Sequence, residues 1–363
     1  MRNYTQSLIQ SGNEPGDEIQ SFVAQRLGLK AFEVGMNLNE WGESATKVEK
    51  VSVAFDRDGT AQSPCGFEVS EQDKMVVTAN NARKRIGIVS AQFNPVQTEE
   101  MVNTLNDVLE DHSLENLVGI GRDYGDKAVL DVFFTTRDET HQRDGPDSTL
   151  SFGLEVRTAH DGSESVRCRP IMIDDETNAV FRGVSEWKRA IHRKPAAMNK
   201  KEIETEMYEK FAESVYEMDE KSEEIVRQVK LAEAETIDFG KQPLTVREFF
   251  KAWLPNSTPE KLIDNGVRQT LVRANEMDSM TDDIPASPTV TVWQILAGFV
   301  YALDIVSNMT DGKNQDRYHK KVHKVLNTPA SFEDSVVAEY LQDSDEMTEE
   351  EKRAMLEARL STA

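Results

Sequence analysis

Residues 158–170 read TAHDGSESVRCRP and place a histidine, an aspartate and a serine within four positions, as His160, Asp161 and Ser163. A nucleophilic hydrolase uses these three side-chain types, with the histidine as the base and the aspartate orienting it. A catalytic triad needs side chains that converge in space, however, and this serine lacks the Gly-x-Ser-x-Gly context. The Asp161-Gly162 pair between two alternating runs instead predicts the tight turn of a β-hairpin. A ligand-binding or catalytic role for the turn remains the alternative.

Two further patterns bear on metal chemistry. PDSTLSFGLEVR faintly resembles the Pro-Asp and Glu-x-Lys pattern of restriction-type nucleases, in which carboxylates such as Asp147 and Glu155 hold a divalent cation and a lysine activates water. Arg157 stands in place of that lysine, and arginine stays protonated, so we expect instead an exposed turn aspartate at 147 and a solvent-facing strand glutamate at 155. His319 and His323 are four residues apart on a predicted helix without a third ligand nearby, so we expect two solvated histidines. The sequence therefore predicts no catalytic residue, no metal and no cofactor.

The charge of the chain is strongly acidic and unevenly distributed. Asp and Glu total 65 against 42 Lys and Arg, which gives a formal net charge of −23. Such a charge disfavours nonspecific attraction to nucleic acid at ordinary salt. It is also typical of a high-salt cytoplasm, where the Debye length falls to about 3 Å near 1 M and net charge no longer selects partners. Basic residues concentrate at 83–85, 188–194 and 313–324 and predict phosphate contacts, with pairing to the chain's own carboxylates as the alternative.

The remaining composition predicts a reducing, cytoplasmic compartment. Cys65 and Cys168 are far apart and fit neither a disulfide framework nor a metal site. The N-terminal residues lack the apolar segment of a signal peptide. The longest apolar run, residues 289–306, contains Gln294 and Asp304 and predicts a buried helix, so we expect no membrane contact.

The hydrophobic periodicity changes once along the chain. From residue 46 to 183 it has the period of two typical of strands, interrupted by one helical stretch over 94–112, and after about residue 184 it is helical. The fold class predicted is α+β, a mainly antiparallel sheet with one packed helix, followed by a helical C-terminal region. The predicted divisions are an N-terminal extension 1–45, a sheet domain 46–183, a helical domain 184–330 and an acidic tail 331–363.

Three helices carry clear sequence signals. Thr98 is predicted to cap the helix of the sheet domain, whose first turn is acidic. Thr258 is predicted to cap a second helix with Pro259 in its first turn. Residues 199–235 predict one long amphipathic helix with a charged outer face.

Four segments across roughly residues 75–325 carry a family resemblance: RIGIVSAQFNPVQTEEMVNTLNDVLED, LSFGLEVRTAHDGSESVRCRPIMI, SEWKRAIHRK and TVWQILAGFVYALDIVSN. Together they resemble the phage- and plasmid-related family known as domain of unknown function 932, here in a version like that of a halophilic archaeon. After the hairpin this chain has RPIMIDDETNAVF where the family often has Arg-x-Val-Cys-x-Asn. The resemblance implies a gene of viruses, plasmids or integrated elements and no established reaction. It also makes Asp161, Gly162 and Ser163 candidate site residues, because they match the family's motif.

The leading hypothesis is a non-enzymatic accessory protein of a mobile element that contacts single- or double-stranded nucleic acid through the sheet. Four phenylalanines of the sheet region are the candidates for stacking on bases, with core packing as the alternative: Phe93, Phe133, Phe134 and Phe152. The predicted contact residues are Arg83, Lys84, Arg85, Arg157, His160, Asp161, Gly162, Ser163, Arg167 and Arg169.

Two other hypotheses remain open. The first is a structural or self-assembling protein that forms a homo-oligomer through the helical half, residues 199–326. The second is a metal-dependent hydrolase or nuclease that uses His160, Asp161 and neighbouring carboxylates.

Overall fold

The computed structural model describes residues 5–10, 37–52, 74–79, 85–90, 93–114, 117–134, 150–174, 177, 179–182, 187–189, 200–242, 244–275, 285, 287–306 and 312–343. The strands are β1 (Thr5–Gln10), β2 (Val48–Ser52), β3 (Lys74–Thr78), β4 (Arg85–Val89), β5 (Leu117–Asp123), β6 (Lys127–Phe134), β7 (Leu150–Ala159), β8 (Arg167–Asp174), β9 (Ala179–Arg182), β10 (Lys188–Arg189), β11 (Thr236–Asp238) and β12 (Thr289–Thr291). The helices are α1 (Leu38–Ser44), α2 (Thr98–Asp111), α3 (Lys200–Ala234), α4 (Val246–Trp253), α5 (Glu260–Arg273), α6 (Val292–Val306), α7 (Gly312–Asn327) and α8 (Phe332–Asp343).

Tertiary contacts divide the chain into two compact units. The first comprises Met1–Asp138, Ser151–Ile173 and Val184–Lys221, and the second comprises Glu139–Leu150, Asp174–Gly183 and Ser222–Ala363. Helix α3 is divided between the two units after Lys221. The predicted fold class is confirmed: antiparallel sheets are combined with helices, and the C-terminal region is helical.

The larger sheet of the first unit has the strand order β1-β5-β6-β7-β8-β10. Strands β6 and β7 are antiparallel, and their register places Leu130 opposite Val156 and Asp131 opposite Glu155. Because successive side chains of a strand point to opposite faces, the apolar pair and the carboxylate pair lie on different faces of this sheet. One face is therefore apolar, and the other carries charged side chains.

The first part of helix α3 covers the apolar face at strand β8. The Cys168 thiol lies 3.3 Å from the carbonyl oxygen of Lys210 and 3.1 Å from the Ser214 hydroxyl. Burial raises the pKa of the Cys168 thiol to about 12, because the thiolate would lose its hydration there. The predicted long amphipathic helix is confirmed, since α3 buries Met207, Phe211 and others along one stripe.

A second sheet, β2-β3-β4, and helix α2 complete the described core of the first unit. Val48, Val76, Val89 and Phe93 form its apolar cluster. The predicted Thr98 cap is wrong, because Thr98 is the first helical residue and Gln97 is the N-cap. The Gln97 side chain instead bonds both backbone groups of Val48, at 3.0 and 2.9 Å, which ties the start of α2 to β2.

The second unit is a cluster of short helices around aromatic side chains. The Trp253 ring lies 5.1 Å from the Phe299 ring and 5.2 Å from the Phe332 ring, in edge-to-face geometry. The predicted Thr258 cap is also wrong: Pro259 is the N-cap of α5, and Thr258 is buried, with its hydroxyl accepting a hydrogen bond from Tyr318.

Two expectations about the C-terminal helices can be compared with this unit. The run 289–306 forms strand β12 and then the buried helix α6, as predicted. His319 on α7 is buried rather than solvated, because it lies beside Tyr318 and Val322 on the face that α7 packs inward. None of the helices in the described ranges combines the length and the apolar character that crossing a membrane requires.

Candidate functional site

The His160 imidazole is part of the core. Its side chain is fully buried, and Nδ1 lies 3.1 Å from the carbonyl oxygen of Val96. Because a carbonyl oxygen only accepts hydrogen bonds, Nδ1 carries the proton, and Nε2 accepts from the Thr98 hydroxyl at 3.4 Å. Burial lowers the pKa of His160, although Asp123 and the Val96 carbonyl act in the opposite direction. The ring therefore anchors the hairpin to the start of α2 in its neutral form.

The rest of the His-Asp-Gly-Ser segment forms the turn between β7 and β8. The Asp161 Oδ1 atom accepts from the backbone N–H and the hydroxyl of Ser163, at 2.9 and 2.6 Å. Gly162 has φ of +76°, which favours glycine. Neither ring hydrogen bond of His160 goes to Asp161 or Ser163, so the three side chains form no nucleophile–base relay. The predicted hairpin turn is the observed structure of this segment.

Three guanidinium groups surround one indole ring beyond this turn. The Cζ atoms of Arg167 and Arg169 each lie 4.1 Å from the ring centre of Trp187, and that of Arg157 lies 5.0 Å from it. These distances are those of cation–π contacts. Trp187 directly precedes β10, whose register with β8 brings position 187 level with Arg169. We refer to Arg157, Arg167, Arg169 and Trp187 as the arginine cluster.

A buried carboxylate fixes two members of the arginine cluster. Glu155 is fully buried, and its Oε2 accepts a hydrogen bond from Nε of Arg169 at 2.7 Å. Its Oε1 accepts from Nε of Arg157 at 2.7 Å and also from Nη2 of the same arginine. Across the sheet, the buried Asp131 bonds Arg122 at 2.9 Å. Charge-assisted pairs of this kind hold guanidinium groups in fixed orientations. Glu155 thus positions the arginine cluster on the charged face of the sheet.

The short strand β10 adds a further arginine at the edge of this face. Its register with β8 places Arg189 directly opposite Arg167, and Lys188 opposite Cys168. Lys188 pairs with Glu217 at 3.0 Å on the face covered by α3. Arg189 is exposed and makes no ion pair within the described part of the chain. Arg167 itself pairs with Glu164 at 2.9 Å, which leaves Arg189 as the exposed arginine of this cross-strand pair.

The structure brings together only part of the predicted contact residues. Arg157, Arg167 and Arg169 converge on Trp187, whereas His160, Asp161, Gly162 and Ser163 form the turn. Arg85 is half-buried on β4, and Arg83 and Lys84 lie outside the described residues. The sequence analysis did not single out Trp187, and it indicated Arg189 only as part of the basic run 188–194.

The phenylalanines proposed for base stacking do not form a platform. Phe93, Phe133 and Phe152 are buried, which confirms the core-packing alternative for these three, and the Phe134 side chain lies outside the described residues. Within the described ranges, no group of three or more His, Cys, Asp or Glu side chains could hold a metal ion.

Three comparisons with known proteins give no match. No protein-family model matches the chain, no curated protein matches it, and no solved structure matches it.

Proposed function

We propose that this chain is a non-enzymatic accessory protein of a virus, plasmid or integrated element, and that it binds nucleic acid through the arginine cluster and Arg189. The observation that carries the proposal is the convergence of Arg157, Arg167 and Arg169 on one indole, with Arg189 beside them. Planar guanidinium groups match phosphate oxygens with two parallel hydrogen bonds. The mobile-element origin rests on the family resemblance alone.

The charge of this face supports an anionic ligand. Arg189 is exposed at the edge of the arginine cluster and makes no ion pair within the described residues, in a chain whose net charge is −23. Glu155 is already engaged by two arginines, and Glu164 pairs with Arg167 at 2.9 Å. The exposed guanidinium group of Arg189 is therefore available to phosphates.

The test is a fluorescence-anisotropy titration of labelled DNA and RNA over a range of potassium chloride, with two charge-matched variants. Arg189→Ala removes one exposed arginine beside the arginine cluster, and Arg227→Ala removes one exposed arginine of α3. We expect Arg189→Ala to weaken binding and to make the salt slope shallower by about 0.7–0.9, the contribution of one phosphate contact. Arg227→Ala should bind as the unchanged protein does. Equal affinity of both variants and the unchanged protein would contradict the proposal.

Self-assembly through the helical half stays a prediction. Tyr216 and Leu231 on α3 are large apolar side chains with 65% and 48% of their surface exposed, but single exposed apolar residues are common on monomers. Size-exclusion chromatography with light scattering measures the oligomeric state directly.

A further inference from the structure

We infer that helix α7 carries a second contact surface for nucleic acid, in which Arg317, Lys320 and Lys324 bind phosphate groups of the backbone. We refer to these three residues as the basic stripe. The inference rests on the proposed function, because it adds a further surface for the same ligand. It follows from the exposure and spacing of the three side chains, from the packing that fixes α7, and from the crowding of positive charge on this helix.

The basic stripe runs along one exposed face of α7. Arg317, Lys320 and Lys324 are all exposed, and they follow one another at intervals of three and then four residues. Residues at these intervals are neighbours on the surface of a helix, so the three side chains form one row. With a rise of about 1.5 Å per residue, the row is about 10 Å long. One strand of a duplex presents a phosphate about every 3.4 Å along the axis, so the row can reach about three phosphates.

The opposite face of α7 is fixed in the core of the second unit. Tyr318, Val322 and Leu326 are buried, and the Tyr318 ring lies 5.8 Å from the Phe299 ring in edge-to-face geometry. An amphipathic helix that binds a membrane inserts its apolar face at the boundary of headgroups and acyl chains. Because α7 buries its apolar face within the protein, it presents its charged face to a partner. This arrangement favours the phosphate backbone of nucleic acid over a membrane.

Positive charge is crowded on α7, although the net charge of the chain is −23. Burial lowers the pKa of Lys321, and Glu339 acts in the opposite direction; the nearby charges of Arg317 and Lys324 lower this pKa further. Like charges three or four residues apart destabilise a helix, and Lys320 lies at these distances from both other members of the basic stripe. The helix dipole favours a cation in the last turn, which accounts for Lys324 but not for Arg317 or Lys320. A polyanion bound along the basic stripe would relieve this repulsion.

The experiment compares two triple variants of the full chain, each of which neutralises one exposed arginine and two exposed lysines of the second unit. The stripe variant is Arg317→Gln, Lys320→Gln and Lys324→Gln, and the control variant is Arg227→Gln, Lys230→Gln and Lys261→Gln. Glutamine has nearly the helix propensity of lysine and arginine, so both variants retain their helices. The probe is a labelled duplex of about 20 base pairs, titrated by fluorescence anisotropy over a range of potassium chloride.

We expect the stripe variant to bind the duplex at least about tenfold more weakly than the unchanged protein at about 0.1 M salt. Its salt slope should be shallower by about 2–2.7, the contribution of three phosphate contacts. The control variant should bind within about twofold of the unchanged protein, because it has the same net charge as the stripe variant but keeps the basic stripe. The single variant Lys320→Gln should make the slope shallower by about 0.7–0.9, which tests the inference with the least disturbance of the fold.

Urea unfolding at low salt gives a second readout. Since the basic stripe is a row of like charges, its removal should leave the urea midpoint unchanged or raise it. A lower midpoint together with unchanged affinity for the duplex would show that these side chains stabilise the fold instead, and would overturn the inference.

The inference and the proposed function can fail separately. A stripe variant that binds the duplex as tightly as the unchanged protein, while Arg189→Ala binds it more weakly, would overturn the inference and leave the proposed function standing. Weaker binding by the stripe variant with unchanged binding by Arg189→Ala would support the inference and contradict the contact at Arg189. Sedimentation of the unchanged protein with phosphatidylserine vesicles, without binding to the duplex from low to molar salt, would refute both in favour of a membrane partner. Absence of binding to either probe would refute both as well.

Discussion

Replacement of the buried carboxylate, Glu155→Gln, tests whether Glu155 positions the arginine cluster. Glu155 is fully buried and accepts hydrogen bonds from Arg157 and Arg169. Removing one partner of a buried ion pair costs about 3–5 kcal/mol, since the other charge stays buried without compensation. Arg157 keeps 14% of its side chain exposed and can be partly hydrated, so we expect the lower end, about 3 kcal/mol. With an m-value of about 2 kcal/mol/M, the urea midpoint should fall by about 1.5 M.

The matched control is Glu164→Gln. The Glu164 side chain is 41% exposed and pairs with Arg167 at 2.9 Å, so its loss should cost less than about 1 kcal/mol. Urea unfolding of both variants, followed by tryptophan fluorescence and circular dichroism at constant pH and salt, measures the difference. Equal midpoints for the two variants at unchanged m-values would refute the positioning role of Glu155.

Three further predictions concern the hairpin and the buried thiol. Burial lowers the pKa of His160 below 6.5, so as the pH falls the unfolded chain binds a proton at this residue before the folded chain does; the contribution of His160 to the free energy of unfolding should be fully present above about pH 6.5 and be lost as the pH falls below it. His160→Gln should flatten this pH dependence in urea midpoints measured at about pH 5 and 7. An unchanged dependence would exclude His160 as its source. Both Gly162 and Gly125 have positive φ, so replacing either with alanine should cost about 1 kcal/mol. Gly162→Ala should destabilise the protein more than Gly125→Ala, because only at Gly162 would the added Cβ lie 3.2 Å from the Val89 side chain. The reverse order in thermal unfolding would contradict this account. The Cys168 thiol is buried and has a pKa of about 12, so it should resist iodoacetamide in the native protein and react with it in urea. Mass-spectrometric mapping measures the labelling. Rapid labelling of the native protein would show that the contact between β8 and α3 opens.

Local sequence signals predicted the elements around the site well. The Asp161-Gly162 pair predicted the turn, because glycine accepts the positive φ that a tight turn needs. Alternating apolar residues predicted β5 to β8, and the long apolar stripe predicted α3, because these patterns depend on residues close in sequence. The two predicted hydroxyl caps failed because each hydroxyl bonds elsewhere: that of Thr98 donates to Nε2 of His160, and that of Thr258 accepts from Tyr318.

The convergence of the arginine cluster could not be predicted from local sequence patterns. Its three arginines were candidates for nucleic-acid contact, but their convergence on Trp187 depends on the pairing of the two-residue strand β10 with β8. A two-residue strand has no periodicity that a pattern could detect. Glu155 looked like a solvent-facing strand residue or a metal ligand, and it is instead fully buried between two arginines. Such a pairing is visible only once strands distant in sequence are neighbours.

The most direct test of the proposed interface is arginine footprinting. Phenylglyoxal modifies accessible guanidinium groups, and Arg189 and Arg227 are both exposed arginines without an ion pair in the described ranges. Modification of the full chain, with and without saturating duplex DNA, would be quantified for each arginine by peptide mass spectrometry. Nucleic-acid binding through this face predicts a several-fold slower modification of Arg189 in the complex and an unchanged rate at Arg227. An unchanged rate at Arg189 under saturating DNA would contradict it.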